Sequence, residues 1–266
     1  MLQNVLTAAG TTIGVAVFDL IRYIGRLNIL FGQTVVSILT TPLNAYRFLS
    51  QAKRVGPGSF FISSLVAFFV GMIIALQMAY MMVRLSAEIY IPNVIAVSLT
   101  RELGPVLTAL IVAGRIGAGI TAEIGAMTVT EQVDALRAFA VDPVRYLVVP
   151  RFLALVLMLP ILTLFAVLVG ITGGFLICSL KLSINAHTYW SMVADSLAIK
   201  DALTGLLKPL FFGMIIAIVG CFEGLNVRGG ADGVGKATTV SVVRSFIFII
   251  MFDCFFTFIF YFLFNS

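Results

Sequence analysis

Arg101 and Glu102 stand side by side inside an apolar stretch, and Asp253 stands alone inside another. An ionisable side chain costs about 2.5–3.5 kcal/mol at the centre of a bilayer, so such residues pair with one another or mark a substrate pathway. Neighbours on a helix point about 100° apart, so Arg101 and Glu102 need separate partners. Counted from the ends of their spans, Asp253 reaches the depth of Arg101. An Arg101–Asp253 ion pair is therefore expected as structural glue, with Glu102 left facing an interior pathway. The competing reading makes both charges purely structural.

Other chemistry is largely excluded. Gly230-Ala231-Asp232-Gly233-Val234-Gly235-Lys236-Ala237 comes close to a phosphate-binding loop, but that motif needs Ser or Thr directly after the lysine to hold magnesium. Ala237 occupies the place and Thr238 comes one residue late. These glycines read as a flexible cytoplasmic turn, and no nucleotide cofactor is expected. His187 is the only histidine, which rules out a metal site needing two imidazoles. Cys178, Cys221 and Cys254 share no metal-ligand spacing and read as small core residues. No serine-hydrolase elbow and no zinc-protease motif is present, so the chain reads as a non-enzyme.

The elements that must position Arg101 and Glu102 are membrane spans. Of 266 residues, 61% are hydrophobic and 11% charged, against roughly 25% charged in a soluble domain. The expected fold is an all-α integral membrane protein. It has an N-terminal interfacial helix, five transmembrane helices and a cytoplasmic helix between the second and third. The chain reads as one domain, with residues 1–55 as the interfacial region and 56–266 as the membrane core. Asp19, Arg22 and Arg26 fall on one helix face with apolar residues around them, the pattern of a helix lying in the headgroup layer; the competing reading is a first transmembrane span through about residues 13–39, against which the three charges argue. No positively charged leader followed by a short apolar run is visible, so no cleaved signal peptide is expected.

Gly56-Pro57-Gly58 reads as a break before the first span, at about 60–83. Its Gly71, Ala75 and Ala79 repeat every fourth residue and smooth one face for close packing. The second span is expected at about 91–113, where Pro105 should kink it. Arg101 lies about 15 Å deep at 1.5 Å per residue. Residues 115–151 read as a loop, with a short amphipathic helix starting on the capping box Thr128-Val129-Thr130-Glu131 and stopping at Asp142-Pro143. The third span, about 152–180, carries Gly170 and Gly174. Residues 181–204 form an outer segment, and the last spans lie at about 206–221 and 242–264.

Cation placement gives the orientation. Arg84, Lys181, Lys200 and Lys208 fall on one side and twelve of the 17 cations on the other. Cationic loops stay cytoplasmic, so the N-terminus and the 115–151 segment are expected in the cytoplasm and the C-terminus outside. The excess of cations is thus topological, and no nucleic-acid partner is implied.

The stretch from Thr100 to Arg151 resembles the signature of the MlaE/YrbE permease family. The matching segments are Arg101-Glu102-Leu103-Gly104-Pro105-Val106, Ala113-Gly114-Arg115, Thr121-Ala122-Glu123-Ile124-Gly125, Thr130-Glu131-Gln132, Val141-Asp142-Pro143 and Pro150-Arg151. Further matches at Gly71-Met72, Gln77, Gly233 to Thr239 and Asp253 extend it over roughly residues 60–260. The resemblance implies the membrane subunit of an ABC transporter in the inner membrane of a diderm bacterium. Such a transporter moves phospholipid between inner and outer membranes and maintains outer-membrane lipid asymmetry. It implies a homodimer, a cytoplasmic ABC ATPase, a periplasmic MCE-domain protein and often a small STAS-domain protein. By the same resemblance, Ile74, Gln77, Met81, Leu85, Arg101, Glu102 and Leu103 would line a lipid cavity. Glu123, Thr130, Glu131, Gln132, Asp134, Arg137 and Asp142 would couple to the ATPase. Three alternatives remain in view: an importer of sterols or other hydrophobic compounds, a carrier using Glu102 as a proton site without ATP, and a membrane scaffold for an MCE protein.

Overall fold

The computed structural model describes residues 2–40 and 44–264, which are helical with no strand among them. Helix α1 covers Leu2–Thr40 and α2 covers Ala45–Met82. The next long run is built in pieces: α3 (Ile91–Ser98), a π-turn (Leu99–Leu103), α4 (Gly104–Val112), a second π-turn (Ala113–Gly117) and α5 (Ala118–Val129). Short α6 (Gln132–Ala138) is followed by a third π-turn (Val144–Val148) that opens α7 (Val149–Leu182). Helices α8 (Ala186–Ser196), α9 (Ile199–Leu225) and α10 (Gly230–Phe264) complete the described chain. Five stretches are long and apolar enough to cross a membrane: Ala45–Leu85, Glu88–Val129, Val144–Leu182, Ile199–Leu225 and Gly230–Phe262. The expected all-α membrane protein with five spans is what the chain forms.

Small residues decide how the spans approach. Helix α2 lies along α7, and a Cβ placed on Gly71 would come 1.9 Å from the backbone oxygen of Gly170. One on Gly173 would come 2.2 Å from the oxygen of Phe68. Backbone therefore meets backbone at this crossing, with Ala67 and Ala75 buried beside it. Helix α7 packs in turn on α9, and α9 on α5 and α10. Where these three meet, Thr121 Oγ1 lies 3.0 Å from the Gly220 carbonyl and 2.8 Å from Ser241 Oγ.

The π-turns have a local cause in two of three cases. Gly104 N–H reaches back five residues to the Leu99 carbonyl, and Pro105 follows. Val149 N–H does the same to Val144, and Pro150 follows. A proline inside a helix lacks a donor and crowds the carbonyl four residues earlier. One surplus residue in the preceding turn opens that crowding. The expected consequence of Pro105 thus takes the form of a widened turn.

Several boundaries differ from expectation. Gly56-Pro57-Gly58 does not break the chain, because α2 runs through it. Gly56 is covered by the Met158 methyl group and Gly58 by the Arg115 guanidinium, both at distances a side chain would obstruct. Residues 45–55 consequently belong to the first span's helix, which Asn44 starts by accepting a hydrogen bond from Arg47 N. Most of the expected 115–151 loop is helical. Thr128 does not cap the short helix expected there, since it lies inside α5 and its hydroxyl approaches the Ile124 and Gly224 carbonyls. The chain turns instead at Glu131, whose φ is +59°, before α6 begins. Residues 230–236, expected as a flexible turn, form the start of α10. Cys178 and Cys221 are buried as expected, but Cys254 is exposed on α10.

Candidate functional site

Lys208 organises the charged residues of the membrane core. It sits in the third turn of α9, and its side chain is 1% exposed. An ammonium has three donors and no acceptor. Lys208 Nζ lies 2.5 Å from Glu102 Oε2, 2.8 Å from Thr257 Oγ1 and 2.9 Å from Asp253 Oδ1. The first two are aligned hydrogen bonds, whereas the Asp253 oxygen is an ion-pair contact without hydrogen-bond alignment. Thr257 also lies within 3.0 Å of Glu102 Oε1. A buried ammonium is tolerable in this setting because two carboxylates face it.

The second ion pair joins the same helices one level away. Arg101 Nη2 lies 2.5 Å from Asp201 Oδ1, and its Nε donates to the same oxygen at 2.6 Å. Asp201 Oδ2 accepts from the backbone N–H of Ala198 at 3.1 Å, so this carboxylate also caps α9. Its side chain is 5% exposed, while Arg101 remains 53% and Glu102 39% exposed. The two pairs border a cavity of about 270 Å³ that Phe260 and Tyr261 also line.

The expected Arg101–Asp253 pair is therefore corrected. Arg101 belongs to Asp201, and Asp253 belongs to Lys208. The π-turn at Leu99–Leu103 narrows the angle between adjacent residues, so Arg101 and Glu102 both address α9. Lys208 was expected among the outer cations because the fourth span was started at Leu206. Its helix begins at Ile199, which draws Lys208 inside. The readable signal was a lysine next to Pro209 in an otherwise apolar run. Asp201 and Thr257 carried no comparable signal, because a helix cap and a lone threonine are common.

The other expected lining residues divide. Ile74 and Leu103 pack against the buried cluster around Leu99 and Ile95. Gln77 and Met81 are exposed on α2, Leu85 is exposed in the short 3-10 turn after it, and none of them borders this cavity within one chain.

At the opposite ends of the spans, Glu123 of α5 ties two neighbours. Its Oε1 lies 2.7 Å from Arg151 Nη2 of α7, and its other oxygen pairs with Arg54 of α2. Arg151 is 5% exposed and also donates to the Leu147 carbonyl. Arg54 is half exposed, so its share is small. Glu123→Ala is expected to lower stability by about 1–3 kcal/mol, because it leaves a buried guanidinium short of its partner. A thermal melt of the purified variant checks this, and Arg54→Ala should cost much less.

The remaining expected coupling residues cluster around α6. Val133 anchors that helix by burial, while Glu131, Gln132 and Asp134 stay exposed and Phe139 protrudes with 81% of its surface free. Asp134 pairs with Arg137 at 2.8 Å, Gln132 Nε2 donates to Thr130 Oγ1, and Asp142 Oδ1 accepts from Val144 N. The result is an outward-facing polar helix held at both ends.

Comparison with known proteins agrees with these features. The sequence model of the family described as Permease MlaE matches residues 48–259. A probable ABC transporter permease protein of Synechocystis is 46% identical over 216 residues, covering 81% of this chain and 82% of that protein. One of Rickettsia bellii is 41% identical over 251 residues, 94% of this chain and 95% of that one. The chloroplastic Arabidopsis thaliana protein trigalactosyldiacylglycerol 1 is 37% identical over 235 residues, 87% of this chain and 67% of that protein.

Proposed function

Because the chain belongs to the MlaE permease family and is an ABC transporter permease, we propose that it moves phospholipid between the inner and outer membranes of a diderm bacterium and so maintains outer-membrane lipid asymmetry. A permease of this class works with a partner ATPase and is not itself an enzyme. The observation that carries the lipid reading is the charge network on an otherwise apolar wall. Arg101 presents half of a guanidinium fork to the cavity, and a planar fork suits a phosphate. Exposed Met81, Leu85, Phe255 and Phe258 supply apolar surface for acyl chains. The Arabidopsis relative, whose name is that of a galactolipid, supports a lipid cargo.

The reading includes a homodimer. Only 11% of the apolar window of α10 is buried, against 56% for α9. Half-exposed Arg101 and Glu102 beside such a helix call for a covering surface, and a second copy would enclose them. Gln77 and Met81 of α2, and Leu85 just after it, then join the cavity. Helix α6, with Glu123, Thr130, Glu131, Gln132, Asp134, Arg137 and Asp142 in and around it, is the proposed contact with the ATPase. The Glu123 ion pairs are suited to pass its motion to α2 and α7. Helix α1 is read as interfacial, with the N-terminus cytoplasmic and the C-terminus periplasmic. Taking Lys208 out of the outer set leaves the cation bias pointing the same way. An MCE-domain protein outside and a STAS-domain protein inside complete the proposed assembly.

Native mass spectrometry of the complex purified through this chain tests the proposal. Two copies of the chain, an ATPase pair and bound phospholipid are expected. A sterol-like mass in place of phospholipid would overturn the cargo. A single copy carrying its ATPase would overturn the dimer.

A further inference from the structure

A second polar cluster lies at the other end of the spans, where α1 crosses the ends of α9 and α10. Its floor is a satisfied group. Glu223 of α9 accepts a hydrogen bond from Tyr23 Oη at 2.7 Å and pairs with Arg244 of α10, whose guanidinium also lies 4.1 Å over the Tyr23 ring. Burial, and then the Glu223 carboxylate beside it, push the Tyr23 phenol well above its ordinary pKa. It therefore stays a neutral donor at every physiological pH.

The rim differs from the floor. Arg22 and Arg26 of α1 and Arg228 of the α9–α10 turn border the same groove of about 570 Å³. All three are exposed, and none has a hydrogen-bond or ion-pair partner among the described residues. Glu223 is already taken, so among the described residues lining the groove Asp19 is the one other carboxylate facing these three guanidinium groups. Gly229 and Gly230 have φ of +93° and +68°, a left-handed turn open to glycine, and they carry Arg228 round towards α1. Next to the arginines, Phe18 and Ile21 of α1 are 76% and 61% exposed.

We infer that this groove binds the phosphate-bearing headgroup of an anionic phospholipid, with its acyl chains along the exposed apolar residues of α1. Guanidinium forks match phosphate oxygens bidentately, and basic pockets between helices at the membrane surface hold anionic headgroups. The apolar flank favours a lipid over free phosphate, which has nothing to place there. The bound lipid would clamp α1 to α9 and α10 as a structural ligand. The inference does not depend on what the permease carries, because the groove and the Lys208 network lie at opposite ends of α9.

The test is native mass spectrometry of the full chain in neutral detergent, titrated with short-chain phosphatidylglycerol, phosphatidylcholine or inorganic phosphate. The expected result is a phosphatidylglycerol adduct whose affinity falls at least tenfold in Arg22→Gln/Arg26→Gln/Arg228→Gln. Arg228→Gln alone, outside any helix, should fall about threefold, and phosphatidylcholine binding should not change. Arg101→Ala should leave this adduct in place, which separates it from lipid bound as cargo. Lys53→Gln/Arg145→Gln/Lys236→Gln removes three other exposed cations. Equal loss in that variant would reduce the effect to a general positive field and overturn the site. Displacement of the lipid by equimolar inorganic phosphate would overturn the lipid as its ligand.

Discussion

Replacing Lys208 with methionine is expected to lower stability by about 3 kcal/mol. Removing one partner of a buried ion pair costs about 3–5 kcal/mol, because the other charge is left without compensation. Here two carboxylates lose the same ammonium. The low end applies because Glu102 is more than a third exposed and keeps part of its solvation. Methionine retains the length and apolar stem of lysine, so little of the loss comes from packing. The decisive comparison is the triple variant Lys208→Met/Glu102→Gln/Asp253→Asn. It removes all three charges together and should recover most of the lost stability, as uncharged replacements of buried ion pairs commonly do. Transport by the assembled complex should stay low in both variants, because the recovered fold lacks the polar network. Melting curves of the single and triple variants check the first part. A Lys208→Met protein that melts like the parent would show that the ammonium holds nothing together.

Gly71→Ala should be as damaging as many much larger changes. Its new methyl group would lie 1.9 Å from the Gly170 oxygen, and that obstacle is backbone, which cannot rotate away. Extra methylenes in a packed core usually cost about 1–3 kcal/mol because side chains can shift. Helix α2 would have to move off α7 along their whole contact, so a cost above about 3 kcal/mol is expected. Gly32→Ala is the matching control. Gly32 lies inside α1 with nothing within 4 Å of an added Cβ. There alanine should stabilise by about 0.5–1 kcal/mol through its better helix propensity. Thermal melts of the two variants in one detergent compare them directly. Equal melting points would mean that the α2–α7 crossing is looser than the backbone contact requires.

The parts of the fold that could be read in advance are those with a strong periodic signal. Five apolar runs gave five spans. Gly71 was legible as part of a close-packing face because small residues at helical spacing leave few other uses, but that it meets Gly170 was not. Arg101 and Glu102 stood out because ionisable residues are rare at that depth. Their partners were harder to read. Pairing depends on helix phase, and a π-turn changes the phase without leaving an unambiguous mark. That is why Asp253 was matched to Arg101 by depth alone, while Asp201 and Lys208 shared out the actual contacts. A short helix before Asp142-Pro143 is present as α6, but it starts at Gln132 and not on Thr128, since Thr128 satisfies its hydroxyl across a helix contact that sequence spacing does not encode. The groove at Arg22 and Arg228 joins residues about 200 positions apart, which no local pattern announces.

The two π-turns in the second span have a geometric consequence. Each surplus residue rotates everything after it by about 100° relative to an uninterrupted α-helix. Between Glu102 and Glu123 the span takes up the end of the first turn and all of the second. The later part is thereby turned by about 100° or somewhat more. A straight rod of this sequence could not aim Glu102 at α9 and Glu123 at α2 and α7 in this arrangement. The span acts as a camshaft, with lobes set at different angles along one axle, and the widened turns fix the angle between its lobes.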